Sequence, residues 1–168
     1  MITPADVAVS QLGIKEATGR NDGEPSTRYM GGRKEPWCMH FALWCFSVLG
    51  YFFPGHIAPT LAQHNPIARV KTMWEKAKAA GLIVDKPQRS DLVIFNSRGN
   101  SDAGDGWHVG IVNNVFMDVT ADGVAVPMID TIEGNEGNGV KPDRHRVADK
   151  RIVAFVRHPS LRDSAAVG

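Results

Sequence analysis

The order of patterns along this chain predicts an α+β fold with an antiparallel sheet. Up to about residue 81 the apolar residues recur at helical spacing between turn signals, and from Asp91 onward they gather into short runs rich in Val, Ile and Phe. Helices first and strands afterwards is the signature of a layered α+β domain. A further observation sets the centre of the domain: EPWCMHFALWCFSVLGYFF, residues 35–53, is apolar on nearly every side of a helix, and such a helix in a soluble protein is buried.

The first helix has Thr3 as N-cap, Pro4 in its first turn and Asp6 at the capping-box position, with Ala5, Ala8, Val9 and Leu12 as its apolar stripe. It is expected to end near residues 16–18. GRNDGEPS, residues 19–26, reads as a turn-rich loop, followed by a short TRYMGG turn. The central helix is expected from Pro36 to Gly50. A third has Asn65 as cap, Pro66 at its first position, a face of Ile67, Val70, Trp74 and Ala77, and Gly81 as its stop. Four strands follow, DLVIF (91–95), HVGIVNNVF (108–116), GVAVPMIDTIE (123–133) and RIVAFVRH (151–158), the middle two joined by a turn at Asp122-Gly123. Residues from about 160 to 168 read as a frayed tail.

The 168 residues fit one domain, 1–168, able to bury a core without staples. Nineteen basic against eighteen acidic residues leave a charge of +1, too little for the basic footprint that nucleic acid requires. The longest nearly uncharged stretch, residues 36–68, is broken by Gly50, Pro54, Gly55, Pro59 and Pro66, so no membrane insertion is expected. The start, MITPADVAVSQLG, lacks the basic and apolar regions of a secretory signal, so the expectation is cytoplasmic synthesis followed by release or dedicated secretion. Cys38 and Cys45 stand seven residues apart on one helix, roughly 10 Å, which rules out a disulfide between them. No C-x-x-C or H-x-x-x-H spacing points to zinc.

Cys38 is the residue with chemistry to offer. It follows Pro36 and Trp37 at the front of the helix, where free N–H groups and the positive end of the dipole favour a thiolate. The alternative is a buried structural thiol, the reading that suits Cys45 among its aromatics. A thiolate hydrolase needs a base. His40, two residues on, points about 200° away on the helix and cannot reach the sulfur. His56, His64, His145 and His158 read as surface residues. His108, opening a strand after the glycine-containing GDGW loop, sits at the sheet's rim beside open space. The adjoining strand returns its end, TIEGNEG, toward His108, which makes Glu133 and Asn135 the candidates to orient the imidazole, with Asp130 and Glu136 as further options.

PWCMHFALWC, SDLVIF, WHVGIV and TIEGN, in that order, resemble the CHAP family of cysteine- and histidine-dependent amidohydrolases and peptidases, and KEATGRNDG and RYM extend the similarity upstream. The resemblance implies a papain-like fold, with the nucleophile helix packed on an antiparallel sheet that carries the base. It implies Cys38 as nucleophile, His108 as general base, Glu133 as the residue orienting it and Asn135 as an accessory polar group. Many relatives have glutamine just before the cysteine where this chain has Trp37, which leaves the backbone N–H of Cys38 as the oxyanion donor in view.

The family's usual substrate is bacterial peptidoglycan, cut at an amide bond by phage endolysins, wall-remodelling enzymes or antibacterial effectors. The expectation is therefore a monomeric peptidoglycan hydrolase working through a thioester. The alternatives are a cysteine amidase or transpeptidase on a non-wall amide and an inactive peptidoglycan-binding module. Trp37 and Trp107 flank the reacting residues and are candidates to line the groove. No cofactor is expected: Asn21, Asp22 and Glu24 could offer oxygens to calcium, but the alternating acidic run of a calcium loop is missing.

Overall fold

The computed structural model describes residues 1–56, 65–98 and 106–161. His64 and most of the expected tail, residues 162–168, lie outside the described residues; Pro159–Leu161 forms a single 3-10 turn.

Helix α1, Pro4–Val9, begins with the expected capping box: Thr3 Oγ1 accepts from the Asp6 amide while Asp6 accepts from the Thr3 amide at 2.8 Å. It stops well before residue 16. Gly13, at φ 88, turns the chain so that Gly13 N–H donates to the Val140 carbonyl and Val140 N–H to that of Ile14. Pairing with the edge of the sheet wins over continuing a short helix whose own hydrogen bonds are solvent-exposed. Helix α2, Glu24–Met30, occupies what reads in sequence as a loop and turn. Seven residues holding a proline carry little helical signal; the helix persists because Tyr29 stacks on Trp37 at 5.7 Å and meets Phe41 and Trp44 edge-on.

Helix α3, Cys38–Ser47, starts two residues later than expected, with Trp37 as its N-cap, and ends before the Gly50 turn. Helix α4, Val70–Ala79, also starts late. Asn65 caps only a local turn, accepting from the Ile67 amide at 3.3 Å, and the extended Arg69 becomes the N-cap.

The described residues form six strands, β1 (Ile83–Val84), β2 (Leu92–Asn96), β3 (Trp107–Val119), β4 (Ala125–Glu136), β5 (Gly139–Arg146) and β6 (Ile152–Val156). They form one antiparallel sheet in the order β1-β6-β2-β3-β4-β5. The two edge strands are those the sequence does not announce. β1 has only two residues, and β5, GVKPDRHR, is polar and holds Pro142, which an edge tolerates.

Helices cover one face of this sheet. Leu92, Ile94, Val109, Ile111 and Ile132 pack there in one core with Phe41 and Phe46 of α3. Alternation along the strands sends Val93, Phe95, Val112, Ile129 and Phe155 to a smaller cluster on the other face. Helices layered on one face of an antiparallel sheet are the α+β, papain-like arrangement expected. One close approach sets the height of α3 over β4: a Cβ built on Gly134 would stand 2.6 Å from Phe41 Cβ, so only glycine fits beneath that ring. Gly134→Ala is therefore expected to lower stability by about 1–3 kcal/mol, read as a reduced thermal midpoint; an unchanged midpoint would show that α3 is not seated by this contact.

Candidate active site

Cys38 is the first residue of α3, and its thiol is half-buried. The first-turn amides of a helix have no intrahelical acceptor, so the Cys38 N–H is open to an external oxygen. Cys45, two turns deeper, is fully buried, and burial pushes its thiol well above the ordinary range. The two cysteines are chemically distinct because one is at the tip of the rod and the other inside it.

His108 is the second residue of β3, near enough to Cys38 for the cysteine side chain to strengthen the ring's hold on its proton. Its Nε2 donates to Glu133 Oε2 at 2.7 Å, which leaves Nδ1 as the nitrogen available to the cysteine. Phe95 supports the ring from one side at 6.1 Å.

The sheet explains how Glu133 gets there. Gly110 of β3 pairs with Glu133 of β4, so His108 lies diagonally across from the acid on the same face. A Cβ at Gly110 would stand 3.0 Å from Glu133 Cγ and 3.3 Å from Oε1. The bare glycine lets the carboxylate lie across β3 toward the imidazole. Glu133 is only 2% exposed, and its other oxygen, Oε1, accepts from Thr131 Oγ1 at 2.5 Å and His145 Nε2 at 2.9 Å. Burial pushes the Glu133 carboxyl up, yet the bonds from His108, His145 and Thr131 and the charge of His108 together hold it down at about 2. Burial likewise pulls His108 down, but the neighbouring Cys38 and Glu133 side chains raise it to about 10. At neutral pH the pair is a carboxylate and an imidazolium.

Several expected roles are redistributed. Trp37 is fully buried: its Nε1 donates to Glu16 Oε1 at 2.7 Å and its ring packs on Tyr29, so it is a core residue and does not line a groove. Asn135 does not share a face with Glu133. The register shifts after Glu133, Asn135 takes φ 60, and its amide donates to Asn21 Oδ1 at 3.4 Å, toward the N-terminal loop. Trp107 is half-buried against Trp74 at 5.4 Å and lines two adjoining clefts, one holding Cys38, Arg69 and Thr72, the other His108, Glu133 and Arg151. Asp130 pairs with Arg144, while Glu136 Oε2 is 3.8 Å from His108 Nε2.

Among the histidines, His145 and His158 are buried, contrary to the surface reading. His158 sits under Tyr51 and Phe53, its Nε2 donating to the Phe52 carbonyl at 3.1 Å, and His145 belongs to the site. Its neighbours in sequence, Arg144 and Arg146, hide that; only the register of an unannounced strand reveals it. His40 pairs with Glu35 at 2.8 Å.

The oxygens considered for calcium are engaged locally: Asp22 accepts from the Thr18 amide and hydroxyl, and Glu24 pairs with Arg28. Two overlapping donor groups, His108–Glu133–Glu136 and Glu133–Asp143–His145, are compact enough for a metal ion. Both share Glu133, whose two oxygens already bind His108, His145 and Thr131, so the arrangement reads as a hydrogen-bonded acid–base chain.

A family model described as CHAP domain matches residues 29–135, a span that contains Cys38, His108 and Glu133 and ends before β5. No curated protein and no solved structure matches the chain.

The titration directions carry a stability signature. His108, raised from 6.5 to about 10, contributes stability fully present below pH 6.5 and lost as pH rises toward 10. Glu133, lowered from 4.5 to about 2, contributes stability present above pH 4.5 and lost as pH falls toward 2. Urea midpoints should therefore decline from pH 6.5 toward 10 in the wild type and much less in His108→Gln; parallel declines would show that the imidazolium is not held as described.

Proposed function

The chain belongs to the CHAP family, whose members are hydrolases of amidase and peptidase type, and on that premise we propose that it cleaves an amide bond of bacterial peptidoglycan through a Cys38 thioester. The bond lies in the peptide stem, the cross-bridge or the muramoyl-peptide junction. The observation that carries this reading is the grouping of Cys38, His108 and Glu133, with the sulfur at a helix tip, the imidazole beside it and the buried carboxylate bonded to the imidazole from behind.

The imidazolium of His108 pairs with a Cys38 thiolate, which attacks the amide carbonyl carbon. The carbonyl π electrons move to oxygen, and the Cys38 N–H with the positive helix end stabilises that oxyanion. His108 then delivers its Nδ1 proton to the leaving nitrogen as the C–N bond breaks, giving the free amine and a thioester. Neutral His108 next takes a proton from water, whose oxygen attacks the thioester carbon; collapse releases the acid and restores thiolate and imidazolium. Glu133 holds the ring in one orientation and stabilises its charged form throughout.

Trp107 supports a position for the substrate. It forms the shared wall of the two clefts, so a chain laid past it meets the sulfur on one side and the imidazole on the other. The acyl and amine parts of the scissile amide would occupy these two sides. An extended peptide suits a groove of this kind, and the enzyme would act where such peptides are found, at the cell wall.

Cys38→Ala and His108→Ala should each abolish release of soluble fragments from purified sacculi while leaving the circular dichroism spectrum unchanged, because both side chains are only half-buried and neither determines a helix or strand. Glu133→Gln should retain intermediate activity. Substantial lysis by Cys38→Ala would overturn the assignment, and mass spectrometry of the fragments identifies the bond. kcat/KM should fall as pH rises through about 10, where His108 loses the proton it must deliver; activity sustained well above that value would show that another group donates it.

A further inference from the structure

We propose that His145 is a positioning residue of the catalytic line, holding Glu133 ionised and aimed at His108 through a buried hydrogen bond. The assignment rests on the reading of Cys38 and His108 as nucleophile and base. Nothing in the sequence motifs points to it: His145 lies on β5, beyond the stretch that matches the family, in the basic run RHR.

The geometry places His145 behind the carboxylate. His145 pairs with Ile129 across β4 and β5, and its ring reaches along that face to put Nε2 2.9 Å from Glu133 Oε1. Both residues are nearly inaccessible, 6% for His145 and 2% for Glu133. Phe95 packs against the two imidazoles, 4.7 Å from His145 and 6.1 Å from His108, so one aromatic ring sets the spacing of both. With Oε1 taken by His145 and Thr131, Oε2 is the oxygen left for His108.

The tautomer follows from the far side of the ring. Arg151 Nη2 lies 3.5 Å from His145 Nδ1, and the Arg151 guanidinium is itself anchored by three bonds to the Asp149 carboxylate. A guanidinium has no acceptor, so Nδ1 faces it as the acceptor and Nε2 carries the hydrogen that Glu133 receives. A chain of hydrogen bonds thus runs from Asp149 through Arg151, His145 and Glu133 to His108, which stands beside Cys38. The charged or titratable groups facing this chain are Cys38 from α3, Glu136 from β4, Asp143 from β5, and Asp149 and Arg151 around the turn before β6. A buried carboxylate deprived of one donor holds its charge less well and is freer to rotate; either change weakens the imidazolium that keeps Cys38 reactive.

The test compares His145→Gln, whose amide nitrogen can still reach Oε1, with His145→Asn, which is polar but too short. The readout is the rate of Cys38 alkylation by iodoacetamide across the acid to alkaline range, which needs no wall substrate. The wild type should react rapidly and retain that reactivity into acid. His145→Asn should react about tenfold more slowly at neutral pH and lose reactivity earlier on acidification, while His145→Gln stays near the wild type. A merely structural role would lower the thermal midpoint without moving the pH profile. Wild-type rate and profile in His145→Asn, or equal impairment of both variants, overturns the proposal and leaves the Cys38–His108 reading standing. A wild-type Cys38 no faster than a free thiol overturns that reading and the proposal with it. Should neither variant fold, 15N spectra of the wild-type histidines decide: a hydrogen-bonded Nε2–H tautomer at His145 supports the role and an Nδ1–H tautomer sinks it.

Discussion

Glu133 is a carboxylate with almost no access to water, and such a charge persists only when its oxygens are fully bonded. Three donors from two strands and its own neighbour meet that demand: His108, His145 and Thr131. Isolated, the group would neutralise; surrounded in this way, it stays ionised and makes the charged form of His108 favourable despite that ring's own burial. The reactive pair at the surface is therefore sustained by a charge in the interior. Two glycines make the geometry available, Gly110 by letting the acid cross β3 and Gly134 by letting α3 settle close to β4.

The helix layer solves a complementary problem, which is to hold a half-exposed sulfur still. Trp37, immediately before Cys38, acts as a peg: buried, stacked on Tyr29 and bonded to Glu16, whose second oxygen accepts from the Asn21 amide. Loop, peg and helix tip form one unit. That role also explains why the side chain preceding the cysteine is unavailable for an oxyanion, leaving the backbone N–H of the helix end to serve.

Where the sequence reading and the structure part, the competing interaction is identifiable in each case. α1 ends early because the chain finds partners on β5; α2 forms because Tyr29 has aromatics to pack on; α4 starts late because Asn65 closes a local turn. Trp37 and Trp107 look equivalent as neighbours of reacting residues. They differ because one precedes a helix docked on a core and the other opens a strand at the rim.

Periodicity and spacing within the sequence were enough for the α+β class, the buried helix with Cys38 at its tip and the pairing that brings Glu133 back to His108. Each depends on residues close along the chain or on one hairpin, where the repeat of a helix or strand dictates geometry. Asn135, two residues on, would share the face of Glu133 only in an extended strand, and a positive φ and a register shift break the alternation there. Only the tertiary structure could bring in His145. Its strand is polar, contains proline and exists as an edge because β4 offers a ladder to pair with, so the contact with Glu133 is a property of the assembled sheet and not of the residues around it.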